Sequence, residues 1–147
     1  MEIVNITSLN ISGLKTRTSN VNEQSAETAK IAPLWNKVVE DCFPYMLVSG
    51  SVYAVYSNYE SDVTGQYDLL VGSDKFSSSL ENTESVEIQE GSYLKFSKDG
   101  DMPEACISLW QDIWAYFESD DCQHVRSYTT DFEKYTQTGV EIYISIK

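Results

Sequence analysis

Glu133 and Glu141 are the residues whose surroundings ask for chemistry. Both lie in TDFEKYTQTGVEIYISIK, each within aromatic and β-branched neighbours, and each two positions before a tyrosine, Tyr135 and Tyr143. A carboxylate is costly to take from water without a partner. Each acid therefore either faces solvent on an open sheet face or waits in a cavity for something cationic.

Parity separates these cases, and the turn sets parity. The segment Arg126–Lys147 reads as two strands with a break at Thr136, Gln137, Thr138 and Gly139. A three-residue loop of Gln137, Thr138 and Gly139 is favoured, because Gly139 can take the positive φ of a bulged hairpin. That loop puts Glu133 opposite Tyr143 and Tyr135 opposite Glu141. Both acids and both tyrosines would then share one face, with Phe132, Ile142 and Ile144 on the other. A two-residue loop slips the register by one and parts the acids.

The elements that position this hairpin come earlier in the chain. Glu2–Arg17 reads as a first strand with a bulge, and Thr18–Glu27 as a loop. Thr28–Cys42 carries Ile31, Leu34, Trp35, Val38 and Val39 at helical spacing, with Pro33 in the first turn. Ser51–Tyr59 and Gln66–Gly72 form a hairpin, Ser73–Glu84 is a polar connection, and Ser85–Ser97 is a strand interrupted at Gly91. Asp101 and Glu104 have capping-box spacing before a helix over Glu104–Glu118, whose stripe is Ile107, Trp110, Ile113, Trp114 and Phe117.

Strand, helix, hairpin thus occur twice. Leu34-Trp35-Asn36-Lys37-Val38 answers Leu109-Trp110-Gln111-Asp112-Ile113, and Asn58-Tyr59-Glu60 answers Asp131-Phe132-Glu133. The expected fold is α+β: duplicated strand-helix-strand-strand units, residues about 1–74 and 85–147 with a linker over 75–84, in one domain spanning 1–147. Their sheets join edge to edge as an antiparallel sheet with two helices on one face and a central ligand groove. Trp35, Tyr53 or Tyr56, Trp110, Trp114 and the hairpin acids and tyrosines would line that groove.

Composition narrows the partners. A chain of 147 residues with 41% apolar content can bury one real core. A net charge of -13 argues against direct nucleic-acid binding, which requires a basic surface. Cys42, Cys106 and Cys122 include no CxxC pair, and the opening residues do not read as a secretion signal, so reduced thiols in a cytoplasm are expected. His124 is the only histidine, which makes a poor metal site, and no cofactor motif occurs. No apolar run approaches the length of a membrane span.

Several segments resemble one family: KIAPLW, VYAVYSNYESD, GQYDLLVG, GSYLKFSKDGDMPEA, SLWQDIWAYF, and above all TTDFEKY with VEIYISIK. They are similar to the GyrI-like effector-binding domains, and within them to the integron-cassette effector-binding branch. The resemblance covers nearly the whole chain. It implies a duplicated α+β fold, free-standing or fused to DNA-binding domains in transcriptional regulators. It also implies a pocket for amphipathic, often cationic compounds, with a buried glutamate as counter-charge. Motif by motif it carries over Glu133 and Tyr135 in DFEKY and Glu141 and Tyr143 in EIY. Glu133 is the preferred counter-charge because the repeat pairs it with Glu60. The family commonly ends its last strand with a proline, where this chain reads Ile144-Ser145-Ile146.

Three functions follow. A binding module would stack a lipophilic cation on Trp110, Trp114 or a tyrosine and neutralise it with the glutamate. Some relatives of the fold hydrolyse small electrophiles, which would cast Glu133 as general base and Tyr56 as orienting acid. An inhibitory contact with another protein would use the acidic surface. No helix-turn-helix fits the sequence, so a role in transcription would require a separate DNA-binding protein as partner.

Overall fold

Alternating β-branched and aromatic residues build eight strands, and two amphipathic stripes build the helices that cover them. A computed structural model describes residues 1–77 and 80–147. The expected linker over 75–84 contains Ser78 and Ser79, which lie outside the described residues. The strands are β1 (Glu2–Ile6), β2 (Leu9–Ser19), β3 (Val52–Ser57), β4 (Gln66–Ser73), β5 (Glu84–Ile88), β6 (Gly91–Asp99), β7 (Thr130–Tyr135) and β8 (Gly139–Ser145). They form one curled sheet in the order β1-β6-β8-β7-β3-β4-β2-β5, antiparallel throughout. Read from either edge, the order is the same once β1 to β4 are exchanged for β5 to β8.

The helices are α1 (Asn20–Glu23), α2 (Ile31–Asp41) and α3 (Glu104–Glu118). The polar stretch read as a loop holds α1, capped by the Ser19 hydroxyl, which accepts from the Asn22 N–H. Glu23 in turn accepts the free N–H groups of Lys30 and Ile31 at the start of α2. Pro33 lies in the first turn, where its missing N–H leaves no carbonyl short. The expected capping box at Asp101 is absent: α3 starts after Pro103 with no side-chain cap, and the Asp101 backbone carbonyl accepts from Ala105 instead.

Leu34 and Val38 of α2 pack on Ala54, Leu69 and Val71. Leu109, Trp110 and Ile113 of α3 pack on Leu94, Phe96, Ile142 and Ile144. The opposite face closes on itself, bringing Ile11 and Ile88 from one edge against Tyr93, Phe132 and Tyr143. The Gln89 N–H donates to the Thr130 hydroxyl at 3.0 Å across this seam. Each fully buried aliphatic side chain stabilises by about 1.5–3 kcal/mol. β2 and β4 approach so closely that a Cβ on Gly72 would lie 1.8 Å from the Ser12 carbonyl oxygen.

Two readings of the chain change. The first strand is two, broken at Thr7 and Ser8. β1 pairs with β6, whereas β2 pairs with β4 and β5. In the last hairpin Phe132 faces Tyr143, Glu133 faces Ile142 and Tyr135 faces Val140, so the register has the even parity of a two-residue loop and not that of the expected three-residue one. Thr136 closes the turn: its N–H donates to the Gly139 carbonyl, and its hydroxyl accepts from the Gly139 N–H. Gly139 begins β8, where a Cβ would meet the Lys98 carbonyl oxygen at 2.1 Å. Glu133 and Glu141 therefore lie on opposite faces.

Candidate functional site

Strand pairing places Glu133 in a row that runs Phe96, Ile142, Glu133, Ala54, Val71, Leu14 across the sheet, one carboxylate among apolar side chains. The row lies under the two long helices. Glu133 is 3% exposed. The Tyr56 hydroxyl and Trp110 Nε1 each donate to its Oε2 at 2.7 Å, and the Tyr135 hydroxyl donates to Oε1 at 2.5 Å. Among the described residues no Lys, Arg or His lies within ion-pair distance of it.

Aromatic rings enclose the carboxylate. Tyr56 meets Trp110 edge-on at 5.4 Å, Tyr56 meets Tyr67 at 5.3 Å, and Trp35 meets Tyr135 at 5.1 Å. These side chains occupy the centre of the sheet where an open groove was expected. A surface cleft of about 490 Å³ lies elsewhere, beside Lys37, Asp41 and Cys42. Burial, reinforced by the charge of Glu133, pushes the phenols of Tyr56 and Tyr135 well above their usual range. They remain protonated donors. The same two causes raise the thiol of Cys106, whose Sγ lies 3.6 Å from the Tyr135 hydroxyl, so this cysteine is a weak nucleophile.

The nine residues singled out from the sequence divide between the faces. Glu133, Tyr135, Tyr56, Trp110 and Trp35 converge on one point. Trp114 stacks beside Trp110 at 5.9 Å on the outer, exposed side of α3. Glu141, Tyr143 and Tyr53 lie across the sheet. There Glu141 accepts from the Tyr143 hydroxyl and pairs with Lys95 at 3.2 Å. Burial first, then the charges of Asp74 and Glu141, pushes the Tyr53 phenol up to about 12. Glu60, read as the counterpart of Glu133, sits in an exposed turn and accepts from the Gln66 N–H.

The sequence reading missed a second buried acid. Asp131 shares the face of Glu133 and is fully buried, but it is paired: Arg126 Nη2 lies 2.6 Å from Oδ2, and the Tyr59 hydroxyl donates to the same oxygen. Ser145 donates its N–H and hydroxyl to Oδ1. Its signal was parity, two positions before Glu133 on one strand. Among the described residues no cluster of three or more metal-ligating side chains occurs, and no helix is long and apolar enough to cross a membrane.

The family described as integron-associated effector binding protein matches residues 2–146. The chain is 32% identical over 149 residues to YobU of Bacillus subtilis (strain 168), provisionally named a transcriptional regulator protein; the match covers 92% of this chain and 90% of YobU. Among solved structures, the integron cassette protein VCH_CASS2 from the mobile metagenome of Vibrio cholerae superposes with a TM-score of 0.92 at 38% identity, covering 99% of this chain and 95% of that one. SAV2435, solved bound to tetraphenylphosphonium, shares the fold at a TM-score of 0.72 and 15% identity, with 99% and 93% coverage. With the family matched over residues 2–146 and a 38% identical structure superposing on 99% of the chain, this protein is a member of the integron-associated effector-binding protein family.

Proposed function

We propose that the chain is a binding domain for amphipathic or lipophilic cations, with Glu133 as the counter-charge and Tyr56, Tyr135, Trp35 and Trp110 as the wall. One observation carries this: of two buried acids on the same strand face, Asp131 has its cation inside the fold and Glu133 does not. Its three donors are neutral, so its charge is left uncompensated. A cation would have to part the edge-on contact of the half-buried Trp35 and Tyr135 to reach their ring faces and then the carboxylate. Binding of tetraphenylphosphonium by SAV2435, which has the same fold, supports the ligand class. Trp114 extends the aromatic surface outward, while Glu141, Tyr143 and Tyr53 belong to a separate face.

The palindromic sheet order supports a duplicated origin, with β2-α2-β3-β4 and β6-α3-β7-β8 as the two units in one effector-binding domain. The name carried by YobU supports a role as accessory in transcription; with the cation site it makes the chain a drug sensor whose DNA-binding protein would be a separate partner. A second reading, hydrolysis of a small electrophile, draws on the Tyr56–Glu133 hydrogen bond at 2.7 Å.

The test titrates tetraphenylphosphonium and neutral triphenylphosphine oxide against wild type and Glu133→Gln. The variant keeps the shape and removes the charge, so the cation weakens by roughly 1–3 kcal/mol and the neutral compound is nearly unchanged. Equal loss for both would make Glu133 structural. Turnover of an added ester, abolished by Tyr56→Phe, would favour the hydrolase.

A further inference from the structure

We infer that Asp131 is a specificity-determining residue for cations: it cancels the charge of Arg126 and so keeps Glu133 as the uncompensated acid of the site. The inference rests on the reading of Glu133 as counter-charge. Arg126 is only 8% exposed, yet the chain buries it close to a site proposed to receive cations. Asp131 and Glu133 are two residues apart on one face of β7, which places their side chains about 7 Å from each other. A free guanidinium beside Asp131 would oppose any cation that approached Glu133, or would itself become the partner of Glu133.

The geometry prevents both. Asp131 takes Arg126 Nη2 at 2.6 Å, and Tyr59 and Ser145 donate to the same carboxylate, fixing its orientation. The guanidinium is held flat by Tyr128, whose ring centroid lies 4.5 Å from Cζ, and is flanked by Phe117 at 5.9 Å. Tyr128 reaches this position with a φ of 53°, a left-handed conformation unusual for a bulky residue. Among the described residues Arg126 Nε is buried without a partner, so stacking and a single carboxylate hold this cation. The pair sums to zero, and the site retains the one negative charge of Glu133.

Asp131→Asn keeps the shape and releases one positive charge. Over about 7–12 Å and at an effective dielectric of about 20, that charge weakens a bound cation roughly ten- to fiftyfold. Tetraphenylphosphonium, neutral triphenylphosphine oxide and anionic tetraphenylborate are titrated at fixed ionic strength. The expected result for Asp131→Asn is a selective loss of the cation, an unchanged neutral ligand and a gain for the anion. Asp131→Asn/Arg126→Met removes both charges and restores cation affinity to within about threefold of wild type. If Asp131→Asn does not fold, Asp131→Asn/Arg126→Lys, which keeps the charge, is compared with Asp131→Asn/Arg126→Met, and the same selective loss is expected in the charged variant. Equal loss of all three ligands, or a cation loss that the neutral double variant does not repair, overturns the inference and leaves a purely structural pair. If wild type and Glu133→Gln bind cation and neutral ligand alike, the counter-charge reading itself fails and this inference falls with it.

Discussion

Removing the Tyr135 hydroxyl should weaken the protein and strengthen its hold on a cation. Tyr135→Phe deletes the Tyr135 hydroxyl's hydrogen bond to Glu133 Oε1 and leaves the ring against Trp35. A hydrogen bond to a charged group contributes about 1.5–3 kcal/mol, and a buried carboxylate left short of a donor forfeits that amount. For a domain of this size each kcal/mol shifts Tm by about 2–4 °C, so a fall of roughly 3–12 °C is expected. The empty protein bears the full loss. In the complex the cation has already drawn on the same carboxylate, so the Tyr135 bond is weaker there and its removal matters less. Affinity for tetraphenylphosphonium should therefore rise, by up to about tenfold if 1.4 kcal/mol of the loss is confined to the empty state. Urea unfolding at constant m gives the stability, and calorimetric titration gives the affinity. A fall in both would make the hydroxyl a ligand contact. An unchanged urea midpoint would show that the bond holds nothing.

Three further outcomes can be checked. Arg126→Met leaves Asp131 buried without its cation and should lose about 3–5 kcal/mol by urea unfolding, most of it recovered in Arg126→Met/Asp131→Asn; a double-variant loss equal to the sum of the two single losses would mean the pair is not coupled. Gly72→Ala puts a Cβ 1.8 Å from the Ser12 carbonyl oxygen and should separate β2 from β4, seen as insoluble protein or loss of cooperative unfolding; a normal melt would refute the close approach. Tyr53 keeps its proton in the fold up to about pH 12, while the unfolded chain releases it near 10. Above pH 10 the native state then holds more protons, so stability should fall as pH rises from 10 to 12, with phenolate absorbance at 295 nm rising together with unfolding. Ionisation of all ten tyrosines below pH 11 without unfolding would contradict this.

The helices and most strands were legible because periodicity reports burial directly. Of the α3 stripe, Trp110 and Ile113 are buried as the spacing predicts, but Ile107 and Trp114 stand exposed and Ala105, Cys106 and Leu109 take their place against the sheet; in Val52–Ser57 the successive residues Tyr53, Ala54 and Val55 are all buried, because both faces of the strand are covered. The site was legible only in part. Gly139 looked like a turn residue, but the constraint on it is the Lys98 backbone of a neighbouring strand, which no local pattern encodes. That single shift of parity moved Glu141 and Tyr143 to the other face, while Tyr53 lies there because it stands an odd number of positions from Tyr56 on β3. Thr7 and Ser8 break a strand without Gly or Pro, so two strands with different partners read as one. Arg126 and Asp131 meet through a loop whose bend depends on Tyr128, a residue with no turn preference.

β1 and β5 each lie beside the strands of the opposite half: β1 hydrogen-bonds β6, and β5 hydrogen-bonds β2. During synthesis the opening strand has no edge to join until residue 99 has left the ribosome, and β2 lacks one neighbour until residue 88 has. Neither half can therefore mature alone. Cutting the chain between β4 and β5 would not yield two small domains. It would yield two fragments, each carrying a strand that belongs in the other, which could regain the fold only by finding one another.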